Sequence, residues 1–242
     1  MDRALFAAAT GMAAQQQNLD LIADNLANAD VTGFKGSEET FAALVNPGTG
    51  GIGTAAIGQH AIFSQGKLMK SPGAFDIAID GPGFFIVADG KGRRAYTRDG
   101  EFSRASDGTL RNAQNWCLDG VRIPQDALSA TVAADGRLSI VTAHDTRVVT
   151  RIRLAEFAAP EHLRNVGGTL FAATSASGRA RPIDAGGDAG PHVRFGMLER
   201  SNVSIIESMM AILTAQRAYE ANAKGVQAAD EMLRIANNLQ RG

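Results

Sequence analysis

The chain has 242 residues, of which 45% are hydrophobic and 20% are charged, and its formal net charge at pH 7 is −1. This composition suits a protein with a substantial apolar core, built as one large domain or two modest ones. The near-neutral charge argues against nucleic acid or an anionic membrane as the main partner, because both require a basic surface. A single cysteine, Cys117, excludes an internal disulfide framework and a metal site made of several cysteines.

The N-terminal region predicts a long helix with a heptad repeat. Alanine-rich neighbours favour the helix, and Gly33 is predicted to end it in a turn. The region lacks the continuous apolar run of a secretory signal, so we expect a chain that stays in the cytoplasm or leaves without signal cleavage. The heptad rows consist of Leu5, Met12, Leu19 and Leu26, with Ala8, Gln15 and Ile22 between them.

The middle of the chain predicts β structure. Residues 45–58 and 175–190 are rich in glycine and small residues and are interpreted as linkers or mobile loops. From about residue 75, short apolar stretches alternate with Asp-Gly pairs, which are strong hairpin signals. "FDIAI" and "FFIV" flank "DGPG" and predict another hairpin, and "TRVVTRIRLAEF" predicts a longer strand.

The C-terminal region repeats the helical pattern and predicts one helix from about residue 203 to 239. Ser201 or Asn202 could cap it, and Ser204 with Glu207 has the spacing of a capping box. One heptad row consists of Ile205, Ile212, Tyr219, Val226 and Leu233, and its companion begins with Met209, Gln216 and Ala223.

The predicted fold class is therefore α+β, with long N- and C-terminal helices pairing as a coiled-coil unit and an antiparallel all-β domain inserted between them. We expect residues 1–44 and 201–242 to form a discontinuous helical assembly domain. Residues 45–74 would be a glycine-rich loop and extended connector, and residues 75–200 the β domain.

Residues with the spacing of a reactive site are not found. The four histidines are scattered, and "GPGFF" lacks the third glycine of a dinucleotide fingerprint. No Walker sequence and no nucleophile elbow is present. We therefore predict no catalytic residue, cofactor or metal, and a protein that is not an enzyme.

The helices themselves are the informative feature. One interpretation is an antiparallel hairpin within one chain. The other is packing among several copies, which is favoured by the length of the heptad rows, the many alanines and the amides along both helices. An amide both donates and accepts hydrogen bonds, so it can pair in a crowded interface without a charge to desolvate.

Four stretches resemble the bacterial flagellar rod and hook protein family. "NLDLIADNLANADVTGFK" (18–35) is similar to its N-terminal signature, except that Thr32 stands one place later than in the commonest form. "FSQGKLMKSPGAFDIAIDGPGFFIV" (63–87) and "YTRDGEF" (96–102) resemble its central blocks. "SNVSIIESMMAILTAQRAYEANAKGVQAADEML" (201–233) resembles its C-terminal signature.

The resemblance implies a structural subunit of the flagellar basal-body rod, spanning the cell envelope. It implies a helical homopolymer whose terminal helices form coiled-coil layers around a channel. Further implied partners are neighbouring rod and hook proteins, the surrounding basal-body rings and the flagellar type III export apparatus, without nucleic acid or membrane insertion.

Two questions stay open at this point. "QRAYEANAK" favours the distal rod protein, whereas the short segment between Phe41 and Phe63 leaves the proximal rod protein possible. A β-rich binding module with an oligomerising helical stalk, or a carbohydrate-active enzyme, are the alternatives from other classes.

The predicted assembly interface follows the heptad rows and the turn after the first helix. Asn25 and Asn28 would satisfy polar partners, Gly33 would permit a sharp exit, and Phe34 would occupy an apolar pocket. The full set is Leu5, Met12, Leu19, Ile22, Asn25, Leu26, Asn28, Gly33, Phe34, Ile205, Met209, Ile212, Gln216, Tyr219, Ala223, Val226 and Leu233.

Overall fold

Long helices lie near both ends of the chain and strands fill the middle, as the hydrophobic pattern predicts. The computed structural model describes residues 2–46, 50–127, 129–142, 145–186 and 190–239. The chain divides into two units. The first consists of Met1–Ala27, Ser37–His60 and Val203–Gly242, and the second of Asn28–Gly36 and Ala61–Asn202.

The first unit contains two helices and a two-stranded sheet. Helix α1 (Asp2–Ala27) is followed by β1 (Ser37–Asn46) and β2 (Gly50–Ala61), and helix α2 is Ile205–Leu239. The two helices pack against each other. The predicted single C-terminal helix is confirmed, and Ser204 is its cap, since its Oγ accepts the Glu207 N–H at 3.4 Å.

Two features of this unit differ from the sequence interpretation. Helix α1 ends at Ala27, well before Gly33. Strand β2 covers residues 50–58, which were interpreted as loop, while residues 47–49 lie outside the described part of the chain. Glycine and alanine have low strand propensity and show no alternating pattern. Strand β2 is instead held by its pairing with β1 and by the 3.3 Å hydrogen bond from Thr54 N to Thr10 Oγ1.

The second unit is the β domain, and the strand pairs resolved in it are antiparallel. Its strands are β3 (Leu68–Lys70), β4 (Ile77–Asp80), β5 (Phe84–Ala88), β6 (Arg94–Thr97), β7 (Ser103–Arg104), β8 (Thr109–Arg111), β9 (Cys117–Arg122), β10 (Ser129–Val132), β11 (Arg137–Val141), β12 (Thr146–Arg151), β13 (Arg153–Glu156), β14 (Arg164–Gly167), β15 (Leu170–Ala172), β16 (Arg181–Asp184), β17 (His192–Phe195) and β18 (Met197–Glu199).

One large sheet organises this domain. Its strand order is β14-β15-β6-β5-β9-β8-β7, with β13 joining β5 to β16. Strands β10, β11 and β12 form a separate sheet, and β4 pairs with β17 and β3 with β18. Hairpins occur at Asp89-Gly90, Asp107-Gly108 and Asp135-Gly136, as predicted.

Some predicted turns and strands are wrong. "FDIAI" and "FFIV" do not pair with each other, because β4 pairs with β17 while β5 pairs with β6, β9 and β13. Asp119-Gly120 lies inside β9, where the Asp119 carboxylate is 3.6 Å from the guanidinium groups of both Arg94 and Arg153. The long strand predicted in "TRVVTRIRLAEF" is divided into β12 and β13 at Ile152.

The core lies on both faces of the large sheet. Successive side chains of a strand point to opposite faces, so Phe85 joins one apolar cluster with Ile77 and Leu154, while Phe84 joins another with Phe171. The rings of the second cluster meet edge to face, with the centroids of Phe63 and Phe84 5.1 Å apart. Burial on both faces explains why β5 reads as a continuous apolar run.

Candidate functional site

The face that α2 turns toward its own chain is made of small residues. Ser208, Ala215 and Ala229 are buried and fall in one heptad row with Asn222. A Cβ atom added to Gly11 of α1 would lie 3.0 Å from Asn222 Nδ2. Small residues in this row let the two helices approach closely, so the larger apolar side chains lie to the sides of the contact.

The predicted heptad residues consequently fall into two groups. None of those whose side chains the structure describes is fully buried, and Leu233 lies in α2 with its side chain outside the described part. Half-buried are Leu5, Met12, Leu19, Ile22, Leu26, Ile212, Ala223 and Val226, and exposed are Ile205, Met209, Gln216 and Tyr219.

An exposed apolar face runs along the first half of α2, and sequence reasoning missed its centre. Ile206, Met210 and Leu213 are 72%, 63% and 56% exposed. Their i, i+4, i+7 spacing places them on one side of the helix. The heptad rows selected their neighbours Ile205 and Met209, which are also exposed. A heptad row that starts one residue later, at Ile206 and Leu213, would have found this face.

The two predicted asparagines lie at the end of α1 and just after it. Asn25 clamps the backbone of Ser37, since its Nδ2 donates to Ser37 O at 2.8 Å and its Oδ1 accepts from Ser37 N at 2.9 Å. Asn28 is half-buried, and its carbonyl accepts the Val31 N–H at 3.1 Å. Asn25 therefore fixes the start of β1 within its own chain.

The turn that follows α1 belongs to the β domain and requires a glycine. Gly33 has a φ of +66°, and a Cβ atom there would lie 2.3 Å from the backbone nitrogen of Asp99. Its N–H donates to the carbonyl of Glu199 at 2.7 Å. Phe34 beside it is buried. Only a residue without a side chain allows the backbone to approach this closely.

Lys35 leads from this turn into a buried ionic cluster. Its Nζ lies 2.6 Å from Glu199 Oε1 and donates to Ser64 O at 2.7 Å. The other carboxylate oxygen, Glu199 Oε2, is 3.3 Å from Arg98 Nη1. The Gly66 N–H donates to Glu199 Oε1 at 2.8 Å. The Glu199 carboxylate, at the end of β18, thus links the turn after α1 to the end of β6.

The cluster holds two cations and one anion away from solvent. Burial lowers the pKa of Lys35 and the pKa of Arg98, while Glu199 acts on each in the opposite direction. Arg98 also donates to Gly81 O at 2.9 Å, and its guanidinium carbon lies 5.5 Å from the centroid of the Phe84 ring. Among the described residues, Glu199 is therefore the one counter-charge paired with both cations.

Asn202 adds further hydrogen bonds next to the ionic cluster. Its Oδ1 accepts the Gly36 N–H at 2.8 Å, and its Nδ2 donates to Ile62 O at 2.7 Å and to Ser64 Oγ at 2.9 Å. The sequence interpretation offered Asn202 as a helix cap and did not identify Arg98 or Glu199. Arg98 lies inside "YTRDGEF", but Lys35 and Glu199 are 164 residues apart, so their pairing leaves no local signal.

The described residues contain no group of three or more His, Cys, Asp or Glu side chains placed to hold a metal ion. Among them, too, neither helix combines the length and the apolarity that a membrane crossing requires.

Three family models match segments of the chain. Residues 195–239 match the C-terminal region of the flagellar basal body rod FlgEFG proteins, and residues 5–35 match the flagella basal body rod protein family. Residues 78–154 match the D1 domain of the flagellar hook protein FlgE/F/G. These matches include both terminal helices and the centre of the β domain.

Curated relatives align over essentially the whole chain. The flagellar basal-body rod protein FlgG of Borreliella burgdorferi is 37% identical over 264 residues, covering 100% of both chains. FlgG of Agrobacterium fabrum is 34% identical over 97% of this chain and 98% of its own. FlgG of Bacillus subtilis is 32% identical over 100% of both. By this similarity at full length, the chain belongs to the flagellar basal-body rod protein family.

Proposed function

We propose that the chain is a structural subunit of the flagellar rod and that the exposed face of α2 joins one copy to the next. The single observation that carries this is the exposure of Ile206, Met210 and Leu213 on one side of a helix. An exposed apolar face of this kind marks an interaction site, because its burial releases water from large apolar side chains.

The occupant that fits this face is helix α1 of another copy. Ala9, Ala13, Ala23 and Ala27 are exposed on α1, with spacings of four, ten and four residues that keep them near one side. A row of small residues can receive the large side chains of α2 without steric conflict. Since the two faces differ, the contact is heterologous, and contacts of this type that do not close into a ring build filaments.

In this proposal the predicted interface residues have two roles. Exposed Ile205, Met209 and Tyr219 extend the contact between copies, and half-buried Leu19 and Leu26 are shared between the chain's own helix pair and its neighbours. The coiled-coil layers implied by the family resemblance would arise from this sharing. The role is structural and requires no enzyme activity.

We propose the distal segment of the rod as its location, which is consistent with the FlgG name of the full-length relatives reported above. The C-terminal "QRAYEANAK" supports the same choice. Neighbouring rod and hook proteins would be its axial partners, the basal-body rings would surround it, and the flagellar type III apparatus would export it.

The test is assembly of a variant with a charge on the exposed face. Met210→Asp removes an apolar contact and would place a carboxylate in the interface, where desolvation is costly. Because Met210 is exposed in the single chain, the variant protein should keep the circular dichroism spectrum and the thermal unfolding of the wild type. It should lose filament formation at high concentration and swimming motility.

Gln227→Asp is the matched control. It adds the same charge at an exposed position of the same helix, outside the apolar face. We expect it to assemble like the wild-type chain. Filaments formed by Met210→Asp at the wild-type concentration would refute the proposed interface, and assembly into a closed oligomer of fixed size would favour the binding module with a helical stalk.

A further inference from the structure

We propose that the buried ionic cluster imposes an order on folding: residues 28–36 dock onto the β domain only after β18 and the residues that follow it are in place. We refer to residues 28–36 as the N-terminal turn and to residues 197–202 as the C-terminal dock. This order of folding applies within the single chain and does not depend on the proposed assembly.

The N-terminal turn is held largely by the C-terminal dock. Glu199 accepts the Gly33 N–H with its carbonyl and the Lys35 ammonium with its carboxylate. Asn202 accepts the Gly36 N–H. Asp30 forms an ion pair with Arg200. Without the dock, the turn would lose all of these contacts and keep the hydrogen bonds from Lys35 Nζ to Ser64 O and from the Ile62 N–H to Gly36 O.

The dock, in contrast, has its own attachment. Strand β18 pairs with β3 along its whole length, from Met197 opposite Lys70 to Glu199 opposite Leu68. The Arg200 N–H donates to Lys67 O at 3.0 Å, and Gly66 N–H donates to the Glu199 carboxylate. These hydrogen bonds do not involve the N-terminal turn, so the dock can form before the turn arrives.

Charge balance enforces the same order. With the dock in place and the turn absent, Glu199 still faces Arg98, and the buried pair is neutral. With the turn in place and the dock absent, Lys35 and Arg98 would be two buried cations without an anion, a state of high energy. The turn therefore has a stable position only when Glu199 is already there.

Hydrogen exchange of the full-length chain in dilute solution tests the order. The Gly33 and Gly36 amides report on the turn, the Arg200 amide reports on the dock, and β11 serves as the internal reference. Glu199→Gln should lower protection of the turn roughly 100-fold more than it lowers that of β11, because the variant keeps the side-chain shape and removes the anion.

Lys35→Met gives the complementary measurement. It should expose the turn but leave the Arg200 amide within about threefold of the wild-type protection, since the dock keeps β3 and Arg98. Equal loss of protection at the turn and the dock in Lys35→Met would overturn the order, as would a turn that stays protected in Glu199→Gln. Asp89→Asn, which breaks an exposed ion pair with Arg93, is the control and should change neither region.

Discussion

Neutralising Glu199 should destabilise the protein far more than removing Lys35, although the two residues form one ion pair. Their side chains are both fully buried, 2.6 Å apart. Glu199→Gln leaves Lys35 and Arg98 facing each other in the interior, and leaving a buried charge uncompensated costs about 3–5 kcal/mol. Lys35→Met leaves Glu199 balanced by Arg98, so the loss is that of hydrogen bonds to a charged group, about 1–3 kcal/mol.

The effect of pH distinguishes the two variants further. Without Glu199, the pKa of Lys35 falls further below its ordinary value, because burial and Arg98 both lower it. The unfolded chain then binds more protons than the folded chain over the interval below the ordinary lysine pKa. Stability therefore rises with pH across that interval, and the deficit of Glu199→Gln should shrink between about pH 7 and 10.

Urea unfolding followed by circular dichroism measures both effects on the single chain. The control is Asp89→Asn, which removes an ion pair with the exposed Arg93 and should leave the urea midpoint almost unchanged. If Glu199→Gln and Lys35→Met were destabilised equally, or if the deficit of Glu199→Gln grew with pH, the charge argument would be wrong.

Two other sites in the β domain give predictions. Burial raises the pKa of Asp99 to about 6. The folded chain therefore holds this proton more tightly than the unfolded chain, and the stabilisation it gives below about pH 4 is lost as pH rises through about 6. Asp99→Asn should remove that pH dependence and, by thermal unfolding near pH 8, raise the free energy of unfolding by up to about 3 kcal/mol. Gly33→Ala should cost at least about 2 kcal/mol in urea unfolding, because it combines a positive φ with a clash at 2.3 Å, whereas Gly90→Ala, with open space around the new Cβ, should cost less than about 1 kcal/mol. An Asp99→Asn variant that is less stable near pH 8, or similar losses in both glycine variants, would contradict these explanations.

The helices could be predicted from the sequence because their signals are local. Heptad spacing, alanine content and the Ser204 cap all lie within a few residues of what they specify. The side of α2 that packs against α1 could not be predicted. Ser208 and Ala215 are small and carry no hydrophobic pattern, and only the position of α1 determines that they face it. Strand β2 was missed for a related reason, since its glycines and alanines form a strand through pairing with β1.

The ionic cluster illustrates a second limit. Lys35 is the last residue of the N-terminal motif, but its partner lies 164 residues away in a short strand. A burial pattern does not identify a charged residue as internal, because such residues are almost always exposed. What the sequence did display was similarity in four separate blocks, and Lys35, Gly66 and Arg98 from three of them meet at Glu199 in the folded β domain.

Helix α2 has a mechanical consequence that follows from its length. Its 35 residues form one continuous helix about 50 Å long, without a proline to bend it. Each turn is hydrogen-bonded to the next, so a twist applied at one end is transmitted to the other with little loss. In a flagellar rod built from such helices, torque would pass along the backbone of every subunit. Relative movement would then be limited to the interfaces between subunits.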